Sequence, residues 1–449
     1  MGNKPGTTHH SSDDHSVDDH SVDDHSVDDH SIDNSNSGNI FENIGSISAI
    51  NVSSRRQLQS SRCLIPVESS TKSSIDISGD VQLFRTLSRA NPSGNLFVSP
   101  LSIRSALAMV YLGARGNTAD QMEKALSFSS DEAVHAKFKK LIEDIHSPSV
   151  SYILKIANRL YGEQTAMFLP RFLEAMCEYF HSDLKTVDFL CAVEASRKEI
   201  NTWVEQQTEN KIKDLLKPGI VSAGTRLVLV NAIYLKANWK NLFNKANTKE
   251  MPFKVSQTEC KPVQMMIQIE KLPYNYIPEY GLQILELPFE KEELSMFILL
   301  PEQSTDCSDP LLKLEMELTL EMLNEWTDRK IMDVQSDIHV HLPMFKLEED
   351  YDLKEPLSEL GMTDVFCPSK ADLSGMNGEA GLFLSTVIHK AFMEVNEEGT
   401  EAAGATAAIG LDRCMLRVKP FTADHPFLFF IRHNQTGAIF FLGRFASPQ

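Results

Sequence analysis

The sequence predicts one α+β domain behind a polar N-terminal tail, and three features of the chain carry that prediction. Helical apolar periodicity dominates from about residue 75 to 216. Apolar and β-branched runs suited to strands dominate from Leu227 onward, interrupted by a helical pattern near 311–326. The stretch from Val395 to Met415 then combines an acidic start, a run of very small residues and a lone arginine at an apolar tip, and it suits neither helix nor ordinary strand.

Residues 1–67 read as disordered. Asp-Asp-His-Ser-Val/Ile repeats four times between Asp13 and Ile32, and so polar a tract cannot bury enough apolar surface to offset its ordering entropy. Residues 1–40 hold nine aspartates and one lysine, which places −8 of the net charge of −19 in the tail. The negative balance argues against nucleic acid as a partner. His15, His20, His25 and His30, each beside two aspartates, are read as part of a solvated tail rather than a metal site. No apolar run approaches the roughly 18 residues that suggest a membrane span. A secretory signal is not apparent, and Gly6 stands where myristoylation calls for Ser or Thr. Seven scattered cysteines without paired spacing fit free thiols in a reducing compartment. Asn51-Val52-Ser53 and Asn434-Gln435-Thr436 are formal glycosylation sequons, idle without a secretory route. The expected location is the cytoplasm, with extracellular release by a route that needs no signal peptide still open.

Within 68–449, Leu83, Phe84 and Leu87, with Val81 at the edge, predict a first helix that Asn91-Pro92-Ser93-Gly94 stops. Asn95 to Ile103 leads from a short strand into a second helix running through Tyr111. Asn117-Thr118-Ala119-Asp120-Gln121 opens a third, with Thr118 and Gln121 in capping-box register. A fourth helix is predicted over 131–146; its Lys137, Lys139 and Lys140 are diluted by Glu143 and Asp144 and read as a solvated face, so heparin or another glycosaminoglycan is not expected to bind. Helices near 168–181 and 192–216 follow. Leu227 to Leu235 reads as a buried central strand leading to Trp239. A mainly β region is predicted for 251–300, a helical one for 311–326, and strands again for 337–346 and 382–395.

In the small-residue stretch, Gly399, Gly404 and Gly410 each cost about 1 kcal/mol relative to Ala in a helix, and Thr400 and Thr406 favour extended chain. Solvated loops are richer in Pro, Asn, Asp and Ser; packed strands carry larger groups. When extended, Thr400, Ala402, Gly404, Thr406, Ala408 and Gly410 share one face, and all are small. Such a segment can enter between two strands already in place. The same residues also suit a small-residue surface linker.

Val395-Asn396-Glu397-Glu398-Gly399-Thr400-Glu401-Ala402-Ala403 resembles the reactive-loop hinge of inhibitory serpins. Phe421 to Arg432, with Gly443-Arg444-Phe445, is similar to that family's closing signature, and Asn95–Ile103 and Ala371–Met376 resemble further family motifs. The resemblance runs from about Glu68 to the end and is nearest to the ovalbumin-like branch, as in Phe445-Ala446-Ser447-Pro448. It implies a serpin fold with three β-sheets, about nine helices and an exposed reactive-centre loop.

The resemblance also implies a function, the irreversible suicide-substrate inhibition of trypsin-like serine proteases. Counted from Gly399 as in the family, the reactive bond is Arg413–Cys414, and the Arg413 guanidinium would enter a pocket holding a carboxylate. Serine attack gives an acyl-enzyme. The hinge (Gly399, Thr400, Glu401, Ala402, Ala403, Gly404, Ala405 and Thr406) then inserts into the central sheet before water releases the enzyme, so the intact fold must be kinetically trapped. Ser99, Ser102, Asn231 and His389 resemble the polar cluster beneath the central strands, and Trp239 the aromatic where insertion begins. Ala237 stands where the family usually has Gly, which is expected to stiffen a turn.

Asp412 leaves a lesser alternative, cleavage after it by an Asp-preferring protease. The expected partner is a trypsin-like protease held covalently by a monomer, with no cofactor, metal or membrane. A non-inhibitory serpin acting as a binding or chaperone protein is the second reading, although such proteins carry bulkier hinge residues. An enzyme is the third. The chain lacks Gly-x-Ser-x-Gly, His-Glu-x-x-His, Walker and Gly-x-Gly-x-x-Gly motifs, and its cysteines are not spaced for structural zinc.

Overall fold

The computed structural model describes residues 78–128, 133–304, 308–400 and 418–449. The tail predicted for 1–67 lies outside them. Three sheets organise the described chain. The central one has the order Phe345–Asp352, Thr386–Asn396, Gly399–Thr400, Leu227–Asn238, Ile153–Glu163, Leu184–Val187. A second six-stranded sheet runs Leu96–Val98, Ile439–Phe445, Phe427–His433, Leu294–Pro301, Leu282–Pro288, Tyr274–Ile277. The third has four strands, Val418–Thr422, Asp337–Pro343, Cys260–Lys271 and Lys249–Lys254. Ten α-helices lie among the described residues, in line with the α+β class and close to the nine implied by resemblance.

The helix that positions the site is Pro100–Gly113. It packs against both the central strand Leu227–Asn238 and the strand Ile439–Phe445 of the second sheet, and twelve of its residues are buried. A helix apolar on all sides belongs in a core. Its start is fixed locally: Pro100 occupies the first turn, and Ser99 Oγ accepts from the Ser102 amide at 3.3 Å. The strands it covers, Leu227–Leu235 and Ile439–Phe445, are buried at every position and mainly apolar, interrupted by Asn231 in the first and by Gly443 and Arg444 in the second, because both of their faces are covered. No described helix is long and apolar enough to cross a membrane.

Four local expectations are corrected. Thr118 and Gln121 do not form a capping box. The helix begins at Gly116; Thr118 Oγ1 accepts from the Asp372 amide at 2.9 Å, and Gln121 Oε1 accepts from the Thr363 and Asp364 amides at 3.1 and 2.9 Å. Both side chains therefore hold a distant loop. The helix expected over 192–216 ends at Gln207, where Glu209 and Asn210 take positive φ. Asn201 then donates to the Leu216 carbonyl at 3.0 Å and accepts from its amide at 2.8 Å, supplying the returning chain with bonds that a helix would have made internally. The stretch 311–326 divides into Pro310–Glu317 and Leu320–Trp326, because Thr319 caps the second helix through the Met322 amide. The strand expected from Leu382 begins at Thr386.

The closing signature ends in a buried charge. Arg444 is 2 % exposed and meets the fully buried Glu315 carboxylate at 2.8 and 3.0 Å, while its Nε donates to the Gly94 carbonyl at 2.8 Å and Nη2 to that of Asn91. Ser88 also donates to Glu315. Burial pushes the Glu315 carboxyl upward against the pull of Arg444. Removing one partner of such a pair strands the other charge, so Arg444→Met should destabilise the fold by about 3–5 kcal/mol, seen as a lower urea midpoint.

Candidate functional site

The two middle strands of the central sheet, Leu227–Asn238 and Thr386–Asn396, are joined along only part of their length. They pair in parallel from Thr386 opposite Val228 to Phe392 opposite Tyr234. Beyond that point they part, and Gly399–Thr400 fills the opening antiparallel to both. Val395 faces Thr400 and Asn396 faces Gly399 on one side; Asn238 faces Gly399 and Ala237 faces Thr400 on the other. The small-residue segment therefore starts as a strand already two residues into the sheet.

Residue chemistry explains why the chain turns back here. Asn396 Oδ1 accepts from the Glu398 and Gly399 amides at 3.0 and 3.2 Å, which closes the turn. Gly399 has φ +145°, and a Cβ there would lie 2.0 Å from the Ala237 carbonyl oxygen, so only glycine fits. Thr400 is fully buried, and its Oγ1 accepts from the Ala237 amide at 3.0 Å. Ala237 belongs to the strand Leu227–Asn238, so the turn that this alanine was expected to stiffen is not there.

Trp239 is the anchor of the turn. Its amide donates to the Glu398 carbonyl at 2.8 Å and its Nε1 to the Asn396 carbonyl at 2.9 Å, while the indole stacks on Phe289 at 4.5 Å and 11°. The Phe243 amide donates to the Glu397 carbonyl at 2.9 Å. The two acidic residues are satisfied as well, Glu398 by Lys245 at 2.7 Å and Glu397 by the Thr248 hydroxyl at 2.8 Å. Lys245 is exposed while the Glu398 side chain is mostly buried, so solvent weakens the ion pair from the lysine side.

Below the opening lies the polar cluster. Ser99, Ser102, Asn231 and His389 come together with no exposure to solvent. His389 and Asn231 are opposite residues of the two parallel strands, and their side chains bond through Nδ1 and Oδ1. The Ser99 amide donates to His389 Nε2 at 3.1 Å, which makes Nε2 the acceptor and Nδ1–H the donor to Asn231. Asn231 Nδ2 donates in turn to Ser102 Oγ at 2.6 Å and to Asn158 Oδ1. Burial holds His389 neutral by lowering its pKa to about 3. Two members were missed in the sequence. Asn158 extends the cluster onto the next strand, and an Asn inside a strand run was the available signal. Tyr351 stacks over His389 at 6.3 Å and 17°, and accepts from the Phe97 amide at 3.0 Å.

Of the residues expected to form the hinge, Gly399 and Thr400 lie within the described chain, as a short strand between the two middle strands. Glu401, Ala402, Ala403, Gly404, Ala405, Thr406 and the Arg413–Cys414 bond lie outside the described residues. Among the described residues, Cys177, Cys191, Cys260 and Cys367 are free, and no three His, Cys, Asp or Glu side chains gather to hold a metal ion. Asn434, in one of the sequons, donates to the Glu292 carbonyl at 2.8 Å and to Ser295 Oγ at 2.9 Å.

Comparison with known proteins extends this description. The family model Serpin (serine protease inhibitor) matches residues 80–448. Leukocyte elastase inhibitor of Homo sapiens is 53 % identical over 82 % of this chain and 97 % of that protein, and that of Xenopus tropicalis is 52 % identical over 82 % and 96 %. Among solved structures, uncleaved ovalbumin superposes with a TM-score of 0.75 at 37 % identity, covering 83 % of this chain and 98 % of its own. Maspin gives 0.76 at 34 % identity, covering 83 % and 97 %.

Two outcomes follow from the geometry. His389 has a folded pKa of about 3 against 6.5 for a free imidazole, so the native state binds fewer protons. Its contribution is complete above pH 6.5 and is lost as pH falls from 6.5 toward 3, at a slope of about 1.4 kcal/mol per pH unit. Chemical unfolding across that range should show at least this slope, and His389→Gln should lower it by about that much, while His135, lowered to about 4 by burial, retains its own share. Gly399→Ala should expel the two inserted residues, and amide exchange at Ala237 and Trp239, which donate to them and to the turn, should accelerate at least roughly tenfold.

Proposed function

This chain belongs to the serpin family of serine protease inhibitors, and from that premise we propose that it captures trypsin-like serine proteases irreversibly at the Arg413–Cys414 bond. It is a protease inhibitor rather than an enzyme. The observation that supports capture by insertion is the placing of Gly399–Thr400 between strands that remain paired below, while the choice of target rests on Arg413 in the sequence. Once the chain is cut downstream, continued insertion exchanges the seven parallel pairs from Thr386–Val228 to Phe392–Tyr234 for two antiparallel ladders. Antiparallel pairing is slightly the more stable per residue, and each new residue satisfies a backbone donor and acceptor.

The entering strand passes between His389 and Asn231 and must break their bond, which makes the cluster a gate. Small side chains from Ala402 to Ala408 lower the resistance at that gate and let insertion outrun deacylation. Arg413 lies thirteen positions beyond Thr400, so full insertion leaves an attached enzyme roughly 45 Å along the sheet from Thr400. The relatives are named as inhibitors of leukocyte elastase. A guanidinium at the bond favours instead a protease whose pocket holds a carboxylate. A cytoplasmic monomer whose folded domain begins near residue 68 completes the proposal, supported by the free thiols of Cys177, Cys191, Cys260 and Cys367.

Incubation with trypsin should give a covalent complex that survives hot detergent on a gel. Arg413→Ala should slow trypsin capture by roughly 10²-fold or more, because it removes the group that the pocket is built to bind. Thr400→Arg should turn inhibitor into substrate, giving cleaved chain and free enzyme. Cleaved wild-type chain without any complex would favour the binding or chaperone reading instead.

A further inference from the structure

The strand Asp337–Pro343 of the third sheet carries two histidines that the inhibitory site does not use. Ile338, Val340 and Leu342 are fully buried on its inner face, so His339 and His341 share the outer face, two residues apart. Their rings lie 4.5 Å apart between centroids, at 50° to each other. His341 Nδ1 is buried and has no hydrogen-bond partner. A buried ring nitrogen left unpaired is costly. The residues opposite are Ile269 and Ile267 on one side and Pro420 and Thr422 on the other, so the flanking strands bring no third ligand.

We propose that His339 and His341 chelate one late first-row divalent cation of the zinc, nickel and copper class, with water completing its coordination. Neutral imidazole suits these ions, and a second imidazole held on the same strand turns its binding into an intramolecular step. The same strand is the sheet partner of Val418–Thr422, the edge strand that follows the reactive segment, through pairs from Asp337–Val418 to His341–Thr422. A bound cation therefore stiffens the strand to which the far end of that segment is tied.

Nickel chloride is the suitable probe, because it is redox-inert toward the free thiols. Thermal unfolding of the full-length protein should shift upward and saturate with Ni²⁺. His339→Asn and His341→Asn should each raise the nickel concentration needed by at least roughly tenfold, since one imidazole remains. The tail histidines are present in every form and cancel in this comparison. If either variant folds poorly, diethylpyrocarbonate labelling of the wild-type protein decides: Ni²⁺ should protect the peptide carrying both histidines. Equal shifts in folded variants and wild type, or an unprotected peptide at saturating Ni²⁺, would overturn the proposal. The experiment involves no protease, so its outcome is independent of the inhibitory reading.

Discussion

One buried bond between an imidazole and an amide holds the middle of the central sheet shut. His389 and Asn231 face each other across two parallel strands, and each is tied further, to Ser99 on one side and to Ser102 and Asn158 on the other. Because the histidine is desolvated and neutral, the bond is directional and fixes one tautomer. The helix Pro100–Gly113, which with its capping residue Ser99 supplies the serines, is wedged between the central and second sheets, so the cluster cannot relax without moving the core. The parallel pairing is thus held locally while the opening above it already carries two residues of a third strand. That division between a closed lower half and an occupied upper half is what the inhibitory reading requires.

Much of this was legible in the residues. Gly399 and Thr400 stood out because a run of glycine and very small residues suits neither helix nor ordinary strand, whereas Trp239 and the four-residue polar cluster could be named only through the resemblance to the serpin family. The strand runs were legible from the residues themselves: Leu227–Leu235 is apolar at every position but Asn231, and few other homes exist for such a run. The misreadings share another cause. Thr118 and Gln121 have the spacing of a capping box, yet both spend their hydrogen bonds on a loop some 240 residues away, and local pattern cannot register so distant a competitor. The helix through Asn201 stops at Gln207 because Leu216 returns to that same asparagine. Asn158 and Tyr351 escaped notice because each acquires its role only when separate strands meet.

Charge is used in the same structure in two contrasting ways. Arg444 and Glu315 are removed from water and specify how the last strand, the first helix and a distant helix meet; their value lies in the penalty for separating them. Lys245 and Glu398 sit at the rim of the opening, where solvent weakens their attraction and rearrangement is cheap. The strong pair ties the last strand into the core, and the weak pair lies beside the turn that leads into Gly399–Thr400.

The indole of Trp239 lies on Phe289 while its N–H is committed to the carbonyl at the root of the turn. Its surroundings are thus defined jointly by the body of the protein and by the turn residues Asn396 and Glu398 that lead into Gly399–Thr400. Any event that withdraws those residues or drives more of them inward must alter the polarity around this ring. The molecule consequently carries its own optical gauge of sheet occupancy, readable from intrinsic emission without an attached dye.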